Sequence, residues 1–316
     1  MKAIVYHEYG TPEVLTLQDV EQPTAGRGEI LVKVQASSVN WHDWHFLTGT
    51  PPMARVMAGI LKPKHKLLGI DFSGYVEAVG ENTTKFHRGD EVFGTTNIGC
   101  LAEYVSVDEG NVQFKPENLT FSEAAAAGAA AFTALQGLRD QGHIESNLKV
   151  LINGASGGVG TFAIQIAKAF GAEVVGVCSR NNCDMVREIG ADLVIDYLQE
   201  DFTQLNRSFN LVFDVAANRS FSDCEKILKN GGLYVTTEFS PRLVIKGKWI
   251  SIASKKKLSP LLAQPPTSKD QAIIRKLLEA GKIRSVIDRS FPLNGVPDAL
   301  WYLSQGHARG KIVITA

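Results

Sequence analysis

The chain has 316 residues, 44 % of them hydrophobic and 21 % charged, with 33 Lys and Arg set against 33 Asp and Glu. A single core rarely grows beyond roughly 250 residues, so two domains are expected. The balanced charge removes the usual electrostatic reason to expect a nucleic-acid or membrane-surface partner.

The opening apolar run breaks at His7 and Glu8, so no signal core forms. The most apolar later stretch, Ala124 to Phe132, falls well short of the ~18 residues a membrane span requires. A cytoplasmic protein is expected. Cys100, Cys178, Cys183 and Cys224 form no C-x-x-C pair, which suggests reduced, buried thiols and neither a disulfide framework nor a zinc knuckle.

In chain order, Glu29 to Gln35 and Gly74 to Val79 alternate apolar and polar residues between glycine and proline breaks, the pattern of a mostly antiparallel β domain. The texture changes at Phe121-Ser122-Glu123. Ser122 is a candidate cap, Glu123 suits the positive end of a helix, and the alanine run behind them favours helix.

Strands and helices then alternate. Val150 to Asn153 reads as a buried strand, Val159 to Phe170 as a helix stopped by Gly171, and Glu173 to Cys178 as the next strand. Asp184 to Ile189 reads as a helix, with Leu193 to Ile195, Leu211 to Val215 and Leu233 to Thr237 as further strands. This order predicts a doubly wound parallel sheet. Lys248 to Ala253 is expected to add a sixth strand, and Lys269 to Ala280 a helix ended by Gly281. Ser285 to Phe291 and Lys311 to Ile314 return to the first texture. The expected division is therefore a β domain of residues 1–121 and 284–316 and a nucleotide-binding domain of residues 122–283.

Asn153-Gly-Ala-Ser-Gly-Gly-Val-Gly160 lies between a predicted strand and a predicted helix. Glycines there permit a tight turn and close approach of a pyrophosphate, whose charge free amides at the helix start can meet. An NAD-binding chain would place an acidic residue at the end of the second strand, but this chain has Cys178-Ser179-Arg180. A hydroxyl and a guanidinium suit the 2'-phosphate of NADPH.

Those segments, with Gly190 to Tyr197, Gly306 to Ile314, Ser38-Val-Asn40 and Gly69 to Gly74, together resemble the medium-chain dehydrogenases/reductases, and within them the zinc-independent quinone oxidoreductases. The resemblance covers essentially the whole length. It implies a GroES-like catalytic domain, a Rossmann domain with a cleft between them, and a homodimer through the Rossmann edge strand, which would put Trp249 to Ala253 at the interface. Zinc alcohol dehydrogenases of this family carry a cysteine near Asn40, a Gly-His-Glu motif where this chain has Gly69-Ile70-Asp71, and a cysteine in the alanine-rich stretch. An amide and an isoleucine are poor zinc ligands, so zinc-free reduction of conjugated acceptors is implied.

The resemblance also implies Ser156, Gly157, Gly158 and Val159 at the pyrophosphate, and Ser179, Arg180 and Tyr197 around the adenosine phosphate. Thr133 would lie near the nicotinamide ring and Asn40 would contact the nicotinamide or the substrate, with Val215 and Ala216 lining the cofactor. The reaction expected is hydride transfer from NADPH to a quinone, enone or enal. Asn40 would be a hydrogen-bond donor and His45 a proton relay, with Asp43 orienting its neighbours or capping a helix. Trp41 and Trp44 form either an aromatic wall or ordinary packing, and Met53, Met57 and Leu61 either cover an apolar substrate or fill a core. A cofactor-binding sensor with little turnover, an alcohol dehydrogenase and an enoyl-thioester reductase are the alternatives.

Overall fold

The computed structural model describes every residue except Ile98 and Phe239. The chain divides into two compact units, Met1–Ala130, Gln271–Glu279 and Ser285–Ala316 in one, and Ala131–Asp270 and Ala280–Arg284 in the other.

The first unit opens with β1 (Lys2–Val5) antiparallel to β2 (Thr16–Asp19). Then come β3 (Glu29–Val39), α1 (Trp41–Thr48), α2 (Pro52–Ala58), β4 (Asp71–Val79), β5 (Glu91–Thr95), β6 (Tyr104–Asp108) and β7 (Val112–Phe114). Gly49 ends α1 at φ 63, a left-handed conformation that glycine adopts without the Cβ penalty. Ile30, Val32, Val34, Phe72, Val76 and Val92 meet in one buried cluster, each such side chain contributing roughly 1.5–3 kcal/mol by leaving water.

α3 (Phe121–Leu135) carries the alanine run. Its cap is Thr120 and not Ser122: Glu123 N–H donates to Thr120 Oγ1 at 3.2 Å, and Thr120 N–H donates to Glu123 Oε2 at 2.8 Å. The shift of two residues follows from chemistry, because the reciprocal pair satisfies two helix-end donors at once. α3 also bends within the alanine run. Gly128 takes ψ −111, outside helical values, and Ala129 N–H turns to donate to Asp71 Oδ1 at 2.7 Å.

The second unit holds β8 (Lys149–Asn153), α4 (Gly158–Ala169), β9 (Glu173–Cys178), α5 (Cys183–Glu188), β10 (Leu193–Asp196), β11 (Phe209–Asp214), α6 (Phe221–Cys224), β12 (Leu228–Thr236), α7 (Pro241–Ala253) and β13 (Lys257–Pro260). All six strands run parallel in the order β10-β9-β8-β11-β12-β13. Leu151, Val175, Val177, Val212 and Leu258 meet in one buried cluster of this unit. The winding reverses between β8 and β11, the position at which a doubly wound sheet opens a crevice beyond its carboxyl ends.

One expected strand is a helix. Lys248 to Ala253 alternates like a strand but forms the last part of α7, and the sixth strand is β13. Ser240 caps α7 by accepting from Leu243 N–H at 3.2 Å, and Pro241 stands in the first turn, where its missing N–H costs nothing. A Cβ at Gly247 would stand 2.7 Å from Leu258 O, so the helix needs glycine there to lie against β13.

After α8 (Ser268–Glu279) come β14 (Ile287–Pro292), α9 (Val296–Ser304) and β15 (Lys311–Thr315). β15 pairs antiparallel with β3, completing a seven-stranded sheet ordered β14-β15-β3-β4-β5-β7, with β6 paired to β3. Among the described residues, only β14 and β15 are parallel neighbours in it. The chain thus joins an antiparallel-rich GroES-like sheet to a parallel Rossmann sheet.

Candidate active site

The glycine loop after β8 is shaped by its own backbone. Gly154 sits at φ +83, and a Cβ at Gly160 would come within 2.0 Å of Gly154 O. These two glycines are therefore demanded by the turn itself. Gly157 differs: a Cβ there would meet nothing closer than Gly154 O at 3.6 Å. It borders open space, and Ser156, Gly158 and Val159 around it are only partly buried.

No side chain caps α4, and its first backbone bond is Thr161 N–H to Gly157 O at 2.9 Å. The N–H groups of Gly158, Val159 and Gly160 consequently have no acceptor among the described residues. Unmet donors at the positive end of a twelve-residue helix are a place for an anion.

Ser179 and Arg180 follow β9, and the Arg180 side chain is exposed with no ion pair or hydrogen bond among the described residues. Tyr197 is 48 % exposed beyond β10, and its N–H donates to Cys178 O at 3.1 Å. Val215 and Ala216 N–H both donate to Asn153 O, at 3.0 and 3.2 Å. Four strand ends thus gather Ser156 to Val159, Ser179, Arg180, Tyr197, Val215 and Ala216 along the carboxyl edge of the sheet. Thr133 lies half-buried on α3.

Two residues of this unit escaped the sequence reading. Asn182 is buried and donates to both Ser156 Oγ and Ser179 Oγ. The signal was a Ser-x-x-Asn turn, which is too common to single out. Asp214 is fully buried below Val215 and accepts from Asn153 Nδ2 at 2.8 Å, Tyr234 OH at 2.7 Å and Ala217 N–H at 3.0 Å. Burial pushes the Asp214 carboxyl above its usual range in spite of these donors.

The first unit collects its polar groups around Asp71, which is fully buried. Asp71 Oδ2 accepts from Ser38 Oγ at 2.8 Å, Asn40 Nδ2 at 3.0 Å and Lys311 Nζ at 3.4 Å, while Oδ1 accepts from Ala129 N–H. Lys311 is 3 % exposed and also donates to Asn40 Oδ1. Asn40 Nδ2 makes a second bond to Ser38 O at 3.3 Å. Both amide hydrogens of Asn40 are therefore engaged inside the protein, which its expected role as a donor did not foresee. Lys311 was legible only as one polar letter at the start of an apolar strand.

Asp43 does double service at the start of α1. Its carboxylate accepts from Asn40 N–H at 2.7 Å and from Gly69 N–H at 2.8 Å, so it caps the helix and pins the segment before β4. Burial raises the Asp43 carboxyl. His45 Nδ1 donates to Thr50 O at 2.7 Å, which leaves Nε2 as the acceptor of the neutral ring. Burial holds the His45 pKa below its ordinary 6.5. His42 stacks on Phe46 at 3.9 Å, and its Nδ1 is buried without a hydrogen-bond partner among the described residues. Trp44 packs against the core and Trp301, whereas Trp41 is 46 % exposed. Met53, Met57 and Leu61 are exposed, so they do not fill a core.

A zinc ion does not fit this cluster. Asn40 spends its oxygen on Lys311, Ile70 has no ligand atom, and an ammonium already lies 3.4 Å from the Asp71 oxygen that a metal would need. Among the described residues no group of three or more His, Cys, Asp and Glu converges to hold a metal. No described helix is long and apolar enough to cross a membrane. A hollow of about 780 Å³ on the first unit includes Glu91, Lys115, Arg275 and Glu279, but these pair with one another at 2.9 and 2.8 Å and hold none of the site residues.

Comparison with known proteins matches residues 26–117 to the alcohol dehydrogenase GroES-like domain and residues 189–314 to the zinc-binding dehydrogenase family. The chain is 36 % identical to the human mitochondrial NAD(P)H oxidoreductase RTN4IP1, covering 99 % of this chain and 89 % of that protein. It is 34 % identical to the 2-methylene-furan-3-one reductase of Solanum lycopersicum, over 99 % of this chain and 79 % of that one. The solved quinone oxidoreductase of Coxiella burnetii superposes with a TM-score of 0.89 at 31 % identity, covering 100 % of this chain and 99 % of that one. With relatives of this identity along nearly its full length, the chain belongs to the quinone oxidoreductase branch of the medium-chain dehydrogenase/reductase superfamily, a family of oxidoreductases.

Proposed function

We propose that this protein is an NADPH-dependent, zinc-free reductase that delivers hydride to quinones or α,β-unsaturated carbonyls. The observation that carries the reading is the row of amides at Gly158, Val159 and Gly160 beside Ser156, unmet among the described residues, with Arg180, likewise unpaired among them, one residue beyond Ser179. Ser156, Gly157, Gly158 and Val159 hold a pyrophosphate. Ser179 and Arg180 take the 2'-phosphate with Tyr197 beside them, while Thr133, Val215 and Ala216 line the nicotinamide end. NADPH supplies the hydride when bound.

On the acceptor side, Asn40, Asp43 and His45 are the assigned residues. Asp43 and Asp71 fix the start of α1, Lys311 fixes the Asn40 amide, and His45 Nε2 relays a proton from solvent to the oxyanion left after hydride addition. Relatives named as a quinone oxidoreductase and as a reductase of a conjugated ketone support this acceptor class. The exposed Met53, Met57 and Leu61 suit an apolar acceptor. We assign residues 1–121 and 284–316 to acceptor handling, residues 122–283 to the cofactor, and the protein to the cytoplasm as a homodimer.

The test is loss of NADPH absorbance with a panel of quinones, enones, enals, simple alcohols with NADP, and coenzyme A esters. Turnover with the first three classes supports the reading. NADPH binding without turnover across the panel would make the protein a sensor, and preference for alcohols or thioesters would move it to another reaction. Arg180→Ala should weaken NADPH at least about tenfold while sparing NADH, the worth of a charge-assisted bond.

A further inference from the structure

The turn after β9 carries a side chain that joins two separate parts of the cradle. Asn182 is 9 % exposed. Its Nδ2 donates to Ser156 Oγ at 3.2 Å and to Ser179 Oγ at 3.1 Å, and its backbone N–H donates to Ser179 O at 2.9 Å. The amide nitrogen has two hydrogens, and both are used.

Each serine hydroxyl is the acceptor in its bond to Asn182. Neither hydroxyl hydrogen has an acceptor among the described residues. A hydroxyl fixed as acceptor on one side is free to donate on the other, and donors are what phosphate oxygens need. Ser156 stands beside the amides of α4 and Ser179 beside Arg180, both without a partner among the described residues.

We infer that Asn182 is a positioning residue of the dinucleotide site, turning both hydroxyl hydrogens outward, Ser156 toward the pyrophosphate and Ser179 toward the 2'-phosphate, and fixing the spacing between them. The inference rests on the NADPH reading above. It differs from a purely structural role in one respect: it links one side chain to two phosphates, of which NADH has only the first.

The decisive variant is Asn182→Asp, which keeps the shape but replaces the donor by an acceptor. Each serine then donates inward and loses its bond to phosphate. With about tenfold in affinity per such bond, NADPH should weaken about a hundredfold and NADH about tenfold, read by titration of the full chain. Ser156→Ala should cost about tenfold alone and nothing further on top of Asn182→Asp, because both remove the same bond.

Should Asn182→Asp fold poorly, Asn182→Ala is read by the same NADPH to NADH ratio. Equal losses for the two dinucleotides, no loss at all, or full additivity of Ser156→Ala with Asn182→Asp would overturn the assignment while leaving the cofactor reading standing. A parent protein that binds neither dinucleotide would overturn both.

Discussion

Asp71 and Lys311 bury opposite charges at 0 and 3 % exposure, and the ammonium is shared with Asn40. Such a pair is weak evidence for stability as it stands, but removing one member leaves the other charged and dry. Asp71→Ala should therefore lose about 3–5 kcal/mol in urea unfolding. A loss below about 1 kcal/mol, typical of an exposed pair, would show that Lys311 finds water. His45 makes a second claim at this scale. Its folded pKa is depressed by burial, so the neutral ring's contribution to stability is present above the ordinary 6.5 and fades as pH falls through the folded value. The same shift leaves little protonated ring at neutral pH. If His45 relays the proton, kcat for acceptor reduction should rise as pH drops from about 7.5 to about 5.5. His45→Gln should flatten that limb, and a limb that survives the substitution excludes the ring.

At the scale of elements, two glycines of one loop should behave oppositely. Gly160→Ala forces a Cβ to within 2.0 Å of Gly154 O and should destabilise the protein by about 1–3 kcal/mol. Gly157→Ala meets nothing nearer than 3.6 Å, so the melting temperature should hold while NADPH affinity falls, because the methyl would enter the space proposed for the phosphate. Equal NADPH affinity for Gly157→Ala and the parent would put the pyrophosphate elsewhere. The strand, loop and helix from β8 to α4 were legible because glycine spacing and apolar period are local signals. α7 was not, since Lys248-Trp-Ile-Ser-Ile-Ala253 alternates as a strand does, and the residues that decide the matter, Ser240, Pro241 and the close approach of Gly247 to Leu258, lie outside that window. The bend at Gly128 was hidden for a similar reason. Alanines on both sides favour helix, and the carboxylate that draws Ala129 N–H away is 58 residues distant. Asn182 and Lys311 were opaque because their partners are fixed by tertiary packing and not by spacing.

At the scale of the whole molecule, the parallel sheet ends at β13 with one side unpaired by any described strand. Trp249 and Ile245 on α7 are 69 and 58 % exposed, and Leu262 just past β13 is 50 % exposed. These groups support the proposed homodimer, since an open edge beside apolar side chains invites a second copy. Sedimentation should give twice the chain mass for the parent and a single chain mass for Trp249→Glu; a parent that sediments as one chain ends the proposal.

The pairing of Asp71 with Lys311 also bears on how the chain is made. The carboxylate leaves the ribosome 240 residues before its ammonium. Through that interval it lacks its counter-charge, so the first sheet waits unfinished while β8 to β13, continuous in sequence, are free to close. Translation thus hands the nascent GroES-like unit its missing counter-charge only after every strand of the Rossmann sheet has been made.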